Sequence, residues 1–409
     1  MKIVDVRTTI LRQPDVRPIA DGIQDLLVIE VVTDEGIVGI GEVHTSPLVA
    51  QAVIQAPLSH VSSRGLREIV LGRDPLQREV LWNDMYRLSA VYGRRGVAIH
   101  AISGIDIALW DIAGKAAGMS VAQLLGGDAD KSVRAYASIL LADTPAGVRT
   151  DVRKCVDAGF PAIKLGWGPL GVDLMGCVEL VEAARKEAGE GIDIMVDVGF
   201  GADVRMAMRF ARALEPLGVY FLEEPLSPDN LDGYARLAES TNVAIATGEK
   251  ETTCHGFRQL MERGRVDIIQ PDIARAGGIT EAKKIVDMAR TYGVTCIPHC
   301  WSSDILLSAT MHLVSCMPDI PYVEFCTLQT PLRRKVTTSP IGVADGAVRV
   351  PPGKGLGVEL DPSTMSKYRI PSETGTQGGG GVRERMNTGD GMRGDTGTRG
   401  TSDQWRSKK

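Results

Sequence analysis

From residue 133 onward the chain repeats one unit, a short run of branched apolar residues followed by a helix-length stretch. Eight such runs read as strands: VRAYAS (133–138), PAIKL (161–165), DIMVD (193–197), VYFLE (219–223), VAIAT (243–247), VDIIQ (266–270), VTCIP (294–298) and YVEF (322–325). Helical stretches fall between them, at 203–214, 231–239, 255–263, 279–292 and 304–316. A helix crossover returns each strand in the direction of the last, so this alternation predicts a parallel sheet. Eight strands in succession predict a (β/α)8-type barrel. An open doubly wound sheet usually has fewer strands and a G-x-G-x-x-G after the first, which this chain lacks. Gly166, Gly168 and Gly171 follow the second strand, but Trp167 and Pro169 interrupt them, so they read as a loop.

The segment 1–125 reads differently, as a separate α+β unit. Residues 2–10 and 26–32 are strand-like, Thr33-Asp34-Glu35-Gly36 is a turn, and IVGIGEV returns as the next strand of a meander. Helices follow at 76–90 and 97–117. The second is apolar round most of its circumference and should be buried, with Leu124-Leu125-Gly126-Gly127 closing it. Residues 126–335 form the barrel. Residues 336–370 contain AVRVP and GLGVELD, expected to be strands returning to the N-terminal unit. From Pro371 to Lys409 the chain is rich in Gly, Thr, Arg, Asp and Ser, too poor in apolar groups to order itself, and is expected to be disordered.

Charge and cysteines limit the function classes. With 51 acids against 46 bases the net charge is −5, which argues against a nucleic-acid binder. No apolar run is expected to span a membrane. The opening MKIVDVRTTI reads as a strand, not a signal peptide, and the seven scattered cysteines contain no C-x-x-C pair. A reducing cytoplasm fits, without disulfides or structural zinc.

In such a barrel the chemistry gathers at the C-terminal strand ends. The third strand ends in Asp197, the fourth in Glu223, and Glu249 lies just past the fifth, at intervals of 26 residues, one strand-helix unit each. Each acid alone reads as an ordinary loop-end salt-bridge partner; three in register converge. Their mutual repulsion calls for a hard divalent cation, Mg²⁺ being the commonest inside cells. Glu224 reads either as an outer partner of that site or as the mate of a neighbouring base.

Lys164, flanked by Ile163 and Leu165, either points into the barrel mouth or snorkels to solvent. The sixth strand ends in Gln270-Pro271-Asp272 and the seventh in Ile297-Pro298-His299, so Asp272 and His299 can pair, the aspartate fixing the tautomer and raising the basicity. Zinc at Cys296, His299 and Cys300 is disfavoured because adjacent strand residues face opposite ways. A substrate carboxylate on the cation has its α-carbon between Lys164 and His299, an arrangement for removing a proton beside a carboxylate. A lysine acting as base must be neutral, so its pKa should be depressed. Glu324, ending the eighth strand, should donate to the second carboxylate oxygen in its protonated form.

The stretches SGIDIALWDIAGK, AIKLG, IMVD, FLEEP, ATGE, IIQPD with ARAGGIT, and IPHCW together resemble the enolase superfamily, mandelate racemase subgroup, over nearly the whole chain to about residue 368. The resemblance implies an α/β fold, a modified TIM barrel (β/α)7β, with an α+β capping domain formed by the N-terminal segment and the C-terminal return. It implies Asp197, Glu223 and Glu249 as ligands of one Mg²⁺, Asp272–His299 as the dyad, Lys164 as the facing acid/base and Glu324 as the carboxylate-orienting acid. It also implies a homo-oligomer.

Two positions depart from the subgroup. Its frequent Lys-x-Lys begins here with Ala162, so Lys164 lacks a neighbouring cation and is better suited to act as an acid. An asparagine common two residues after the first metal ligand is Gly199 here. Specificity in the family comes from cap loops. The first, PDVRPIADGIQD (14–25), is polar, which favours a polyhydroxylated acid and makes Arg17 a candidate contact; the second begins near His44, another candidate. Ser138, ending the first strand, is a candidate contact for substrate or metal-bound water, and Trp167 for an apolar wall beside Lys164. The leading expectation is Mg²⁺-dependent dehydration of a sugar acid, acting on a small-molecule carboxylate without nucleic acid or membrane. The alternatives are a racemase, epimerase or lactone cycloisomerase using the same enolate, and a non-catalytic ligand-binding member suggested by Ala162 and Gly199.

Overall fold

In the computed structural model, which describes residues 1–17, 23–61, 63–199 and 201–370, an N-terminal antiparallel sheet precedes a curled parallel sheet. The first sheet is a meander of β1 (Ile3–Arg12), β2 (Asp25–Thr33) and β3 (Val38–Val43), with Thr8 opposite Ile29 and Ile29 opposite Gly41. Gly36, at φ +79°, makes the turn between β2 and β3.

The helix Val97–Ala117 lies across this sheet at unusually short range. A Cβ at Gly41 would stand 2.0 Å from the Gly104 carbonyl oxygen, and one at Gly39 2.1 Å from that of Ala108. The Gly39-Ile40-Gly41 sequence is therefore what lets the helix seat. By length and composition the helix could cross a membrane, contrary to the sequence expectation that no run is long enough, but its apolar surface is spent on the core and 83% of its most apolar window is buried. Gly118, in the left-handed region, closes it. Leu124 belongs instead to a separate short helix, Val121–Leu124, that starts with a Ser120/Gln123 capping box; the expected closure at residues 124–127 is corrected accordingly.

Eight parallel strands make the second sheet: β4 (Ser132–Leu140), β5 (Ala162–Gly166), β6 (Asp193–Asp197), β7 (Val219–Glu223), β8 (Ala244–Thr247), β9 (Ile268–Ile269), β10 (Thr295–Cys296) and β11 (Val323–Cys326). They pair in sequence from β4 to β10, and β11 pairs back onto β4, so the sheet curls; among the described residues no ladder joins β10 to β11. The sixth and seventh strands are only two residues long because Pro271 and Pro298, which have no N–H to donate, follow close behind. Inside the curl, Tyr136, Ala162, Met195, Phe221, Ala246, Ile268, Ile297 and Tyr322 pack as one apolar layer. Ala162, two residues before Lys164 and so on the same face, belongs to that layer.

The return segment differs from expectation. AVRVP gives β12 (Ala347–Arg349), which pairs antiparallel with β4, Val348 opposite Val133, and so extends the barrel sheet. GLGVELD forms only isolated bridges, Gly355 to Ser120 and Leu360 to Thr337; the chain rejoins the N-terminal sheet at Arg369, bridged to Leu11. Residues 371–409, with the expected disorder, lie outside the described residues.

Buried polar side chains join cap to barrel. Asp106 accepts from the Thr280 N–H, Asp111 from the Ile40 and Leu356 N–H groups, and Glu42 from the Ser303 hydroxyl at the start of the helix Asp304–Val314. His312 on that helix accepts from the Ala122 N–H at Nδ1 (3.2 Å) and donates from Nε2 to the Leu356 carbonyl (3.0 Å), which requires the neutral ring. Burial pushes its pKa down to about 4, against the pull of the Leu356 bond. Below pH 6.5 the unfolded chain takes up a proton at this site that the folded chain refuses until near pH 4. This contribution is therefore intact above pH 6.5 and is lost as pH falls through that window, at about 1.4 kcal/mol per pH unit at most. We expect His312→Gln to lower Tm at pH 7 and to make the fall in Tm between pH 6.5 and 4 shallower than in the wild type, as read by thermal unfolding across that range.

A candidate active site at the barrel mouth

Asp197 and Glu223 end neighbouring strands directly opposite each other, and Glu249 follows two residues after β8. Carboxylate oxygens of the three lie within 4.8 Å of one another, and all three side chains are buried. Burial and the charge of Glu223 hold Asp197 well above the usual carboxylate range. Burial also raises Glu223, although Lys164 opposes it. Glu249 lies well below its usual value because His299, Lys250 and Arg275 outweigh its burial. An all-oxygen, acidic, buried donor set under electrostatic strain suits a hard divalent cation.

Lys164 points into the mouth. Its Nζ donates to both Glu223 oxygens (3.0 and 2.9 Å), lies 2.8 Å from Glu324 Oε1 and 3.8 Å from Asp197 Oδ2, and stands 5.5 Å from the centre of the Tyr136 ring. Burial lowers its pKa, but these acids more than compensate and the net shift is well upward. Lys164 is thus charged, which suits an acid and not a base, because carboxylates from three strands meet at its tip. Glu324 departs from expectation for the same reason. Burial would raise it, yet Lys164 and His299 hold it below its usual value, ionised, and it accepts from the Cys300 N–H at 2.6 Å.

His299 Nδ1 lies 2.8 Å from Asp272 Oδ2, and its Nε2 lies 3.0 Å from Glu249 Oε2. Burial disfavours its charge, but Glu249, Glu324 and Asp272 together push its pKa up to about 10. Asp272 also caps the helix Ile273–Ala276 through the Ala274 N–H, and its pKa is lowered against its burial by His44, His299 and Arg275.

The same Asp272 oxygen holds a second histidine. His44 Nδ1 is 2.8 Å from Oδ2, its ring stacked on His299 at 5.7 Å between centroids. Its Nε2 accepts from Arg275 at 3.1 Å, so Nδ1 carries the proton, and burial followed by the charge of Arg275 lowers its pKa. His44, Asp272 and His299 could on proximity hold a metal. Two imidazole N–H groups aimed at one oxygen, with a guanidinium beside them, make a hydrogen-bond network the better account. Sequence reasoning placed His44 at a loop start, and the structure brings it to the dyad. It missed Arg275, whose signal was its place three residues after Asp272, one turn on.

Glu224 proves to be the mate of a neighbouring base. In the left-handed region at φ +50°, it accepts from Lys250 Nζ (3.0 Å), the Thr247 hydroxyl and the Gly248 N–H, and so fixes the turn that presents Glu249. Lys250, also missed, bonds Glu249 at 2.7 Å.

A cavity of about 470 Å³ opens onto Lys164, Asp197, Glu249, His299 and Glu324. Ser138, opposite Lys164 in the β4–β5 register, and Trp167 also border it. Arg17 does not: it pairs with Asp15 at the surface, its N–H donating to Gln24. Cys296 and Cys300 are buried, and burial raises both thiols.

Trp167 explains why position 199 is glycine. Gly199 has φ +79°, and a Cβ there would stand 3.2 Å from the Trp167 ring, which itself sits at φ +57°. Gly199→Ala should cost about 1–2 kcal/mol from backbone strain alone, before any shift of the indole. Thermal unfolding checks this; an unchanged Tm would contradict the packing.

Comparison with known proteins identifies the family. Residues 6–126 match the family model for the mandelate racemase / muconate lactonizing enzyme N-terminal domain, and residues 147–364 match the enolase C-terminal domain-like model. The chain is 31% identical over 388 residues to the D-galactarolactone cycloisomerase of Agrobacterium fabrum, spanning 91% of this chain and 100% of that protein. It is 32% identical over 362 residues to the arabinonate dehydratase of Saccharolobus solfataricus, spanning 87% and 94%. Among solved structures, the 3,6-anhydro-D-galactonate cycloisomerase from Zobellia galactanivorans matches with a TM-score of 0.82 at 33% identity, over 91% of this chain and 100% of that one.

Proposed function

This chain belongs to the mandelate racemase / muconate lactonizing enzyme family of the enolase superfamily, and from that premise we propose that it is a Mg²⁺-dependent dehydratase of a polyhydroxylated sugar acid. The observation that carries the reading is that Lys164 on β5 and His299 just past β10, five strand positions apart in the sheet, reach one cavity bordered by Asp197 and Glu249. Asp197, Glu223 and Glu249 would hold the cation, which supplies positive charge to offset the negative charge that develops on the substrate carboxylate as the α-proton leaves.

The remaining work falls to the chain's own side chains. Asp272 keeps a proton on His299 Nδ1, so proton transfer to and from substrate runs through Nε2. Nε2 takes the α-proton, for which the ring must be neutral; a cation held at Asp197, Glu223 and Glu249 would offset the acid that keeps His299 protonated in the metal-free site. Lys164 Nζ, held as a cation among acids, serves the opposite side as proton donor and charge partner. The C2–H bond breaks, C2=C3 forms, the C3–O bond breaks and hydroxide leaves as water; the enol then relaxes to a 2-keto-3-deoxy acid.

The second reading is a lactone cycloisomerase. It removes the same proton but expels a ring oxygen, and the product is an isomer. The two cycloisomerases whose full length this chain covers support it. The seven free cysteines support a reducing setting, in which we place the reaction in the cytoplasm. The test is a screen of the purified protein with Mg²⁺ against aldonic acids, aldaric acids and their lactones, reading 2-keto acid formation. Turnover of aldonic acids supports dehydration; turnover confined to lactones moves the reading to the cycloisomerase; no keto product from any of them removes both.

A further inference from the structure

His100, in the first turn of the helix Val97–Ala117, borders the cavity together with His44 and Arg275, and the mechanism above leaves it without a task. Neither of its ring nitrogens meets a hydrogen-bond partner among the described residues, although both are buried. The other two cavity histidines have a partner at each nitrogen. Buried polar atoms without partners are costly, and natural proteins keep few of them. A further effect keeps this ring neutral: burial, Arg275 and His44 push its pKa down to about 3 against the pull of Asp272. A neutral imidazole presents one N–H donor and one bare nitrogen acceptor, the pair that an alcohol hydroxyl satisfies. The residue is partly exposed while its nitrogens are not, so other atoms carry its exposed surface. The terminal torsion of histidine is broad and roughly two-fold, and a half-turn exchanges Nδ1 with Cδ2 and Nε2 with Cε1 within the same ring outline.

We propose that His100 is a recognition residue that binds a hydroxyl group of the substrate on the His44–Arg275 side of the cavity. The inference rests on the reading of the site as one for a polyhydroxylated acid, and it narrows that reading to acids with a hydroxyl at the position His100 reaches. The cap would then select substrate through a helix of its core as well as through its loops.

The test uses the full chain with His100→Leu and His100→Gln. For the acid that the wild type turns over, His100→Leu should raise KM by about tenfold or more with kcat within about threefold, the pattern of lost uniform binding. His100→Gln, which keeps a donor and an acceptor, should recover most of that KM. A set of monodeoxy analogues should contain one that is about tenfold poorer for the wild type and no poorer than the parent acid for His100→Leu. The substrate-free His100→Leu protein should unfold at or above the wild-type temperature, because two unpartnered polar atoms are gone. An unchanged KM in His100→Leu overturns the proposal. So does a loss of about 5 °C or more in its unfolding temperature, which marks a structural histidine. If the wild type turns over none of the acids or lactones, the functional reading falls by itself, and the unfolding comparison still decides the role of His100.

Discussion

Asp197→Asn should abolish turnover, by about a thousandfold or more, and yet leave the metal-free protein at least as stable as the wild type. The two effects have opposite signs for one reason. In the metal-free chain Asp197 is buried against Glu223 and Glu249, and its pKa is raised well above the usual range. An acid whose folded pKa is raised costs stability at every pH above its unfolded value. Asparagine removes that cost at pH 7 and keeps the side chain's shape. The same change replaces one of the three carboxylates proposed to hold the cation by a neutral amide, and the charge stabilisation that such a cation supplies to a developing anion is worth several kcal/mol. Calorimetric titration with Mg²⁺ should show binding lost or greatly weakened, and thermal unfolding in chelator should show Tm unchanged or raised. Retained activity, or activity of the wild type in excess chelator, would remove the metal from the account.

The second large effect is expected at His299. His299→Asn removes the ring nitrogen that Asp272 orients toward Glu249, and general acid–base groups of this kind contribute about 10² to 10⁴ in rate. Elimination needs both a base for the α-proton and an acid for the leaving oxygen, so the loss should sit at the upper end of that range in kcat, with KM little changed. His44→Gln is the informative comparison. His44 shares the Asp272 oxygen but has its outer nitrogen occupied by Arg275, so it positions the aspartate without exchanging a proton with substrate. Its loss should cost about tenfold in kcat, in line with partners that orient a functional histidine from behind. Equal losses in the two variants would mean that the proton passes through the His44 side.

Much of this was legible in the sequence because strand ends are positional information. Asp197, Glu223 and Glu249 are spaced one strand-helix unit apart, and that spacing alone sets them side by side. Lys164 and His299 could be placed by the same argument. Their protonation could not, because it is set by acids that arrive from other strands: the tip of Lys164 meets Glu223 and Glu324, which lie 59 and 160 residues further along the chain. His44 meets Asp272 across 228 residues, from a different sheet, and no local pattern announces such a contact. Gly199 looked like a missing asparagine and is the space that Trp167 occupies. The return strand followed its local β propensity, but which sheet β12 would join depended on where the chain runs after the barrel closes.

The central claim is that the site removes the proton beside a carboxylate and expels the oxygen on the next carbon. The most direct measurement is proton NMR of the reaction in deuterium oxide with Mg²⁺, on an acid found active in the screen. The account predicts a 2-keto-3-deoxy acid carrying one solvent deuterium at C3, with no deuterium exchanged into a C2-inverted substrate. A C2 epimer as the sole product, deuterated at C2 and accompanied by no keto acid, would contradict it.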